Sequence, residues 1–335
     1  MTHRVVAAAM AAMLLATVHA AAQSRTAAVK TSRAKASPRT SWGAPDVQGV
    51  WNYATLTPLE RPSELAGKEV LTDAEAAEFE KQTLQRRNPD RRDGGAAADV
   101  GRAYNEFWWD FGTKVIGTKR TSLVVDPPDG RVPPLTPEAQ KRANARAEAR
   151  RRSPADGPED RGLPERCLLW ATAGPPMLPS AYNNNIQIFQ TRENVVILNE
   201  MIHDARIIPL DGRPHLPKNI RQWLGDSRGR WEGNTLVVDT TNFTDKTNFR
   251  GSGEDLHLIE RFTRVDANTL LYEFRVDDTT TFTKPWSAAI PMTRTQDLIY
   301  EYACHEGNYG MFGILAGART QEKAAEEAAK NETKR

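Results

Sequence analysis

From Asn194 to Cys304 the hydrophobic residues fall in short runs rich in β-branched and aromatic side chains, each closed by turn residues. That spacing predicts a meander of antiparallel strands rather than alternating βαβ units. Strands are expected at Asn194–Ile202, Ala205–Leu210, Thr235–Asn242, Leu256–Val265, Thr269–Val276, Ser287–Arg294 and Leu298–Cys304, with another at Ile186–Gln190. Asp211-Gly212, Gly233-Asn234, Asp266-Ala267-Asn268 and Asp277-Asp278 supply hairpin chemistry between them. A meander of this length usually closes into a barrel or folds into a sandwich, so the fold class is read as mainly β.

Period-2 alternation then asks which side of each strand faces inward. On Thr269–Val276 the answer is plain: Leu270, Tyr272, Phe274 and Val276 share one face, and Glu273 and Arg275 share the other with Thr269 and Leu271. Leu256–Arg264 does not separate in this way. One face carries Glu260 among Leu256, Leu258 and Phe262, and the other carries His257 and Arg261 beside Ile259 and Thr263. A regular strand here aims an ionisable group inward whichever face is buried. Val195–His203, with Glu200 and His203 on opposite faces, and Leu298–Glu306, with Glu301, His305 and Glu306, pose the same question.

An inward charge must pair, meet water or shift its pKa. Three arrangements answer to that. The first is an internal ion-pair network, such as Glu260 with Arg261 from a bulge, or an edge strand wet on both faces. The second is a solvated binding cavity. The third is an acid–base site in which His203 or His257 moves a proton, Glu260 or Asp204 orients it, and Arg261 holds an anionic group.

Ahead of the meander lies a polar, partly helical insertion over 57–166. Thr72-Asp-Ala-Glu75 has capping-box spacing, and Glu75–Leu84 continues as a helix. A second helix opens at Thr136-Pro137 and runs to Arg152, its last turn carrying three arginines. Between the two, Tyr104–Phe111 is the densest aromatic cluster, suited to packing on the sheet or to walling a ligand cavity. At the far end, Gln321–Arg335 reads as an exposed helix without an apolar stripe, and 318–335 as a tail.

The chain has 335 residues and a formal net charge of +2, enough for a large domain and with no charge excess that would favour nucleic acid as a partner. Met1–Ala22 has the charged start, short apolar run and A-x-A site of a secretory signal, followed by a disordered leader over 23–41. The run is shorter than the roughly 20 residues needed to span a bilayer. A periplasmic or secreted protein without a membrane span is therefore expected, and in that compartment Cys167 and Cys304 should form a disulfide.

Gly49-Val50-Trp51, opening the first strand, resembles the G-x-W start of lipocalins and other calycin barrels. The resemblance implies a calycin-like barrel closed at one end by Trp51, with a late arginine packed on it, for which Arg319 is the candidate. Two longer runs, Ser122–Pro134 with its PPDGR motif and Gly225–Asp239, reading GDSRGRWEGNTLVVD, resemble a family of exported bacterial proteins of uncharacterised function. That likeness covers most of Trp42–Gly317, supports a single domain over 42–317, and implies no activity.

Sharper motifs do not hold. Gly225-Asp-Ser227-Arg-Gly229 fits G-x-S-x-G, but a strand-forming run follows it where a nucleophile elbow needs a helix, so it is read as a loop and hairpin entry. His203-Asp204 matches the doublet of the all-helical HD phosphohydrolases but sits at a strand end. No histidine pair has H-x-H or H-x-x-x-H spacing, so no metal is assigned; His203, His257, His305 and Glu306 would be the ligands if the fold gathered them.

Two main function classes follow. One is an exported binding protein for a small, partly apolar or aromatic ligand, with Trp51, Trp108, Trp109, Trp223 and Trp231 as candidate walls and Arg261, His305 and Glu306 as polar contacts. The other is an enzyme without an organic cofactor, an acid–base lyase, isomerase or hydrolase using His203, Asp204, His257 and Glu260. A structural envelope protein is the third alternative.

Overall fold

The computed structural model describes residues 38–102, 105–247 and 249–333, which belong to the compact unit Ser37–Arg335. The expected signal Met1–Ala22, the leader through residue 37, and Tyr104 of the aromatic cluster lie outside the described residues. The leader's final residues are ordered: Arg39 donates to Gly43 O at 2.7 Å and to Asn234 Oδ1 at 2.9 Å.

Ten strands form one antiparallel sheet. They are β1 (Gly49–Asn52), β2 (Val124–Asp126), β3 (Asn185–Gln190), β4 (Asn194–Asn199), β5 (Ala205–Pro209), β6 (Asp226–Glu232), β7 (Thr235–Thr241), β8 (His257–Arg264), β9 (Thr269–Asp277) and β10 (Trp286–Thr295). The hydrogen-bonded order is β5-β4-β3-β1-β10-β9-β8-β7-β6, with β2 on β10. Two meanders, β3 to β5 and β6 to β10, are thus joined by the first strand: Trp51 faces Ile186 on one side and Arg294 on the other. The path is open, with no ladder between β5 and β6 among the described residues. Those two strands nevertheless approach closely, since a Cβ on Gly229 of β6 would lie 2.8 Å from Ile208 Cγ2 of β5.

Most expected strands form close to where hydrophobic alternation puts them, and three readings are corrected. Asp226–Glu232, taken as a loop and hairpin entry, is a full strand whose Gly233-Asn234 turn sets the register Trp231↔Leu236. Leu298–Cys304 is irregular; Leu298 and Tyr300 are exposed, so alternation there selects no inner face. Asp277-Asp278 is no tight turn, because Asp277 ends β9 and β10 begins only at Trp286.

The helices lie in the insertion and at the end: α1 (Asp73–Arg87), α2 (Gly95–Gly101), α3 (Pro137–Arg152) and α4 (Tyr309–Glu332). Thr72 and Glu75 form the expected capping box, and Thr136 caps α3 with Pro137 in its first turn. Helix α4 is longer than the expected tail and has no buried residue. Among the described residues no helix is long and apolar enough to cross a membrane.

The sheet's inner face is packed solid. Leu270, Tyr272, Phe274 and Val276 of β9 meet Trp51, Phe262, Trp286 and Ile290 from neighbouring strands, all at most 1% exposed. Trp51 donates its indole N–H to Val47 O at 3.0 Å, and the Arg264 guanidinium lies over its ring at 5.5 Å. The arginine on Trp51 is therefore Arg264, not Arg319. Arg319 lies on α4 and donates to the carbonyls of Ala155 and Asp156.

Candidate functional site

Strand β8 answers the alternation question directly. Leu258, Glu260, Phe262 and Arg264 point inward, and His257, Ile259, Arg261 and Thr263 point outward. Glu260 is completely buried and its partner is Arg206 of β5, which donates two hydrogen bonds at 2.7 and 3.1 Å. The Tyr272 hydroxyl donates a third at 2.8 Å and itself accepts from Met177 N. Burial beside this carboxylate pushes the Tyr272 pKa well above the ordinary phenol value. Glu260 is thus saturated by bonds inside the core, whereas Arg261 sits on the outer face and pairs with Glu232 at 3.0 Å. The expected partnership of Glu260 with Arg261 is replaced by one with Arg206, because these sequence neighbours leave the strand on opposite sides.

The residues that do converge lie where the two meanders end. A cleft of about 610 Å³ is lined by four stretches: Cys167-Leu168 before β3, Ile202–Asp204 between β4 and β5, Arg221–Leu224 before β6, and His305 beyond β10. The Cys167–Cys304 disulfide ties the first stretch to the last. His203, Asp204, Trp223 and His305 of the sequence-derived candidates meet here; Glu306 is exposed and is not part of the lining. Ile202 and His203 have φ of 64° and 50°. For a β-branched residue that conformation is strained, and Ile202 is held in it by its buried side chain, which packs with Ala173 and Met201.

His203 Nδ1 lies 3.2 Å from Tyr302 O, a carbonyl that only accepts. In the tautomer that makes this bond the proton is on Nδ1, and Nε2 is the nitrogen left to accept. Burial raises the Asp204 pKa above the ordinary carboxylate value, opposed by the charges of His203 and His305. Arg221 is anchored through Glu254, donating to its backbone oxygen at 2.7 Å. Trp223, half-buried, supplies the aromatic surface.

A second constellation escaped the sequence reading. On the outer face of β6, β7 and β8, His257 Nε2 lies 3.1 Å from both carboxylate oxygens of Asp239. His215 Nε2 approaches the same Asp239 at 3.0 Å, and its Nδ1 approaches Asp226 Oδ2 at 2.9 Å. Arg228 closes the chain on Asp226 at 3.1 Å. Carboxylates only accept, so both contacts of His215 are hydrogen bonds only when its ring carries two protons. His215 and the Leu216 N–H together pin the β5–β6 connection, which continues into the Arg221–Leu224 wall of the cleft. Among the described residues no three histidine, cysteine, aspartate or glutamate side chains are grouped to hold a metal ion.

The pair His257–Asp239 sets a pH window. Its hydrogen bond raises the His257 pKa and lowers that of Asp239, against partial burial in both cases. The His257 contribution is complete below the unfolded value of about 6.5 and is lost as pH rises through the raised folded value. The Asp239 contribution is present above about 3.9 and is lost as pH falls through the lowered one. The pair's contribution to the melting temperature should therefore be flat from about pH 4 to 6.5 and decline on each side, with His257→Gln removing this part of the alkaline decline. The amplitude is a few tenths of a kcal/mol, since His257 is 39% exposed and screened. An alkaline limb identical in His257→Gln would refute the assignment.

The other candidates lie apart. Trp51 is core, Trp231 is half-buried against the core, and Trp108 is exposed. Trp109 stacks on Phe111 with ring centroids 5.0 Å apart, in a small groove against α1. The missed outer-face chain was partly legible. Alternation along Thr235–Thr241 with the Gly233-Asn234 turn places Asp239 opposite Arg228 and on the same face as His257. The return of His215 from the loop had no local signal. In comparisons with protein-family models, curated proteins and solved structures, nothing matches this chain.

Proposed function

We propose that this is an exported protein that binds a small, flat, anionic ligand in the cleft between Trp223, His203 and His305, on a sheet curled toward a calycin-like barrel. The cleft itself carries the reading. Its volume falls within the roughly 300–1,000 Å³ of small-molecule sites, and it gathers an aromatic face, two imidazoles and an anchored arginine. The raised pKa of Asp204 lessens its repulsion of an anion. A disulfide and the lack of a membrane-crossing helix among the described residues fit an exported protein. The solid inner face moves the binding reading away from the sheet interior, where it was first expected, to this rim.

In a thermal-shift screen of the mature chain against aromatic carboxylates, at least one should raise the melting temperature. A ligand at about 100 times its Kd adds about 2.7 kcal/mol to stability. Trp223→Ala should weaken it about tenfold by removing the stacking face. A flat screen, or full affinity in Trp223→Ala, would remove the proposal.

One observation favours an enzymatic second reading: Asp204, with its raised pKa, stands beside two imidazoles in the same cleft, as an acid–base pair requires. Turnover lost in His203→Gln with affinity retained would select it; affinity and signal falling together would select binding.

A further inference from the structure

The Pro127–Arg131 turn, part of the PPDGR run, folds over Arg61, and the geometry there points to a second binding site. Arg61 is 5% exposed, and its Nε donates to Thr121 Oγ1 at 2.8 Å. Its Nη2 is buried without a partner, and among the described residues no carboxylate reaches ion-pair distance of it. Gly130, at φ +71°, permits this: a Cβ there would stand 3.1 Å from both the guanidinium carbon and Nη2. Arg61 also lines a pocket of about 420 Å³ together with Arg131, Pro62 and Pro128. The pocket's two acids are engaged elsewhere, Glu69 with Arg120 and Asp129 with the Arg131 N–H.

A guanidinium cannot shed its proton, so burial cannot neutralise Arg61 as it would a lysine or histidine. Among the described residues no carboxylate forms an ion pair with it, and an uncompensated buried charge costs several kcal/mol. We propose that this pocket binds a small oxyanion, a carboxylate or phosphate, that balances the Arg61 charge from the pocket side while Arg131 closes over it. Arg131 is exposed and reaches back to Arg61 O at 3.3 Å, which places its side chain at the pocket's mouth. This site shares no lining residue with the cleft and does not depend on what the cleft binds.

The test is the melting temperature of the mature chain titrated with inorganic phosphate and, separately, with acetate, against chloride at matched ionic strength. One oxyanion should raise it above the chloride control, and the stronger response names the source. Arg131→Gln should weaken the response about tenfold, the scale of one hydrogen bond to a charged group. Arg61→Met should abolish it without lowering the melting temperature of the anion-free protein, because an unpaired buried charge is removed. Trp223→Ala should leave it intact. Equal effects of oxyanion and chloride, a response unchanged in Arg131→Gln, or one lost in Trp223→Ala would each overturn the proposal. Should Arg61→Met fail to fold, the exposed Arg131→Gln decides alone.

Discussion

Glu260→Ala is expected to destabilise the protein by about 3–5 kcal/mol, measured as a shift in the urea midpoint with little change in slope. The loss comes less from the bonds removed than from what they leave behind. Arg206, only 7% exposed, would keep its charge in the core with no carboxylate, and the Tyr272 hydroxyl would lose its acceptor. Arg206→Ala should be comparably harmful by stranding the carboxylate. The double variant Arg206→Met, Glu260→Leu should recover most of the loss, since a buried ion pair replaced by apolar side chains of similar volume is often neutral or better. Strict additivity of the two single losses would show that the groups do not act as a pair.

The second large effect belongs to the disulfide. Cys167 and Cys304 are 137 residues apart, and on the chain-entropy account a loop of that length restrains the unfolded chain by up to about 5 kcal/mol. Cys304→Ser should therefore cost about 2–5 kcal/mol. Ligand response at the cleft should suffer more than the global unfolding curve implies, because both cysteine-bearing stretches line it. Thiol titration of the denatured, unreduced chain should find no free thiol. Equal melting temperatures with and without reductant would show that the crosslink adds nothing.

The strands were legible because each obeys a local rule: β-branched runs with period-2 burial, ended by turn residues. Leu270, Tyr272, Phe274 and Val276 could be placed inward from sequence alone, and they are. The capping box at Thr72 and the proline start of α3 were likewise local. Strand β6 was hidden by composition, since Asp226, Arg228, Gly229 and Arg230 read as loop while the register with β7 holds them extended. Alternation showed that one titratable group on β8 had to face inward, but not that Arg206, across the sheet in another meander, would meet it. Site assembly was legible only in part for the same reason. His203, Asp204, Trp223 and His305 were each named, yet what gathers them is the crossing of four distant stretches. His215, pinned between Asp226 and Asp239, was passed over because its importance lies wholly in those long-range partners.

The central position of β1 has a kinetic consequence. Trp51 lies in the first strand, yet one of its two backbone neighbours is Arg294, almost at the end of the last strand. A growing chain can assemble only two unjoined hairpin sets, each with a bare apolar flank, until that final ribbon arrives. High contact order of this kind makes folding slow and cooperative. The joined sheet is therefore expected to form only once β10 is complete.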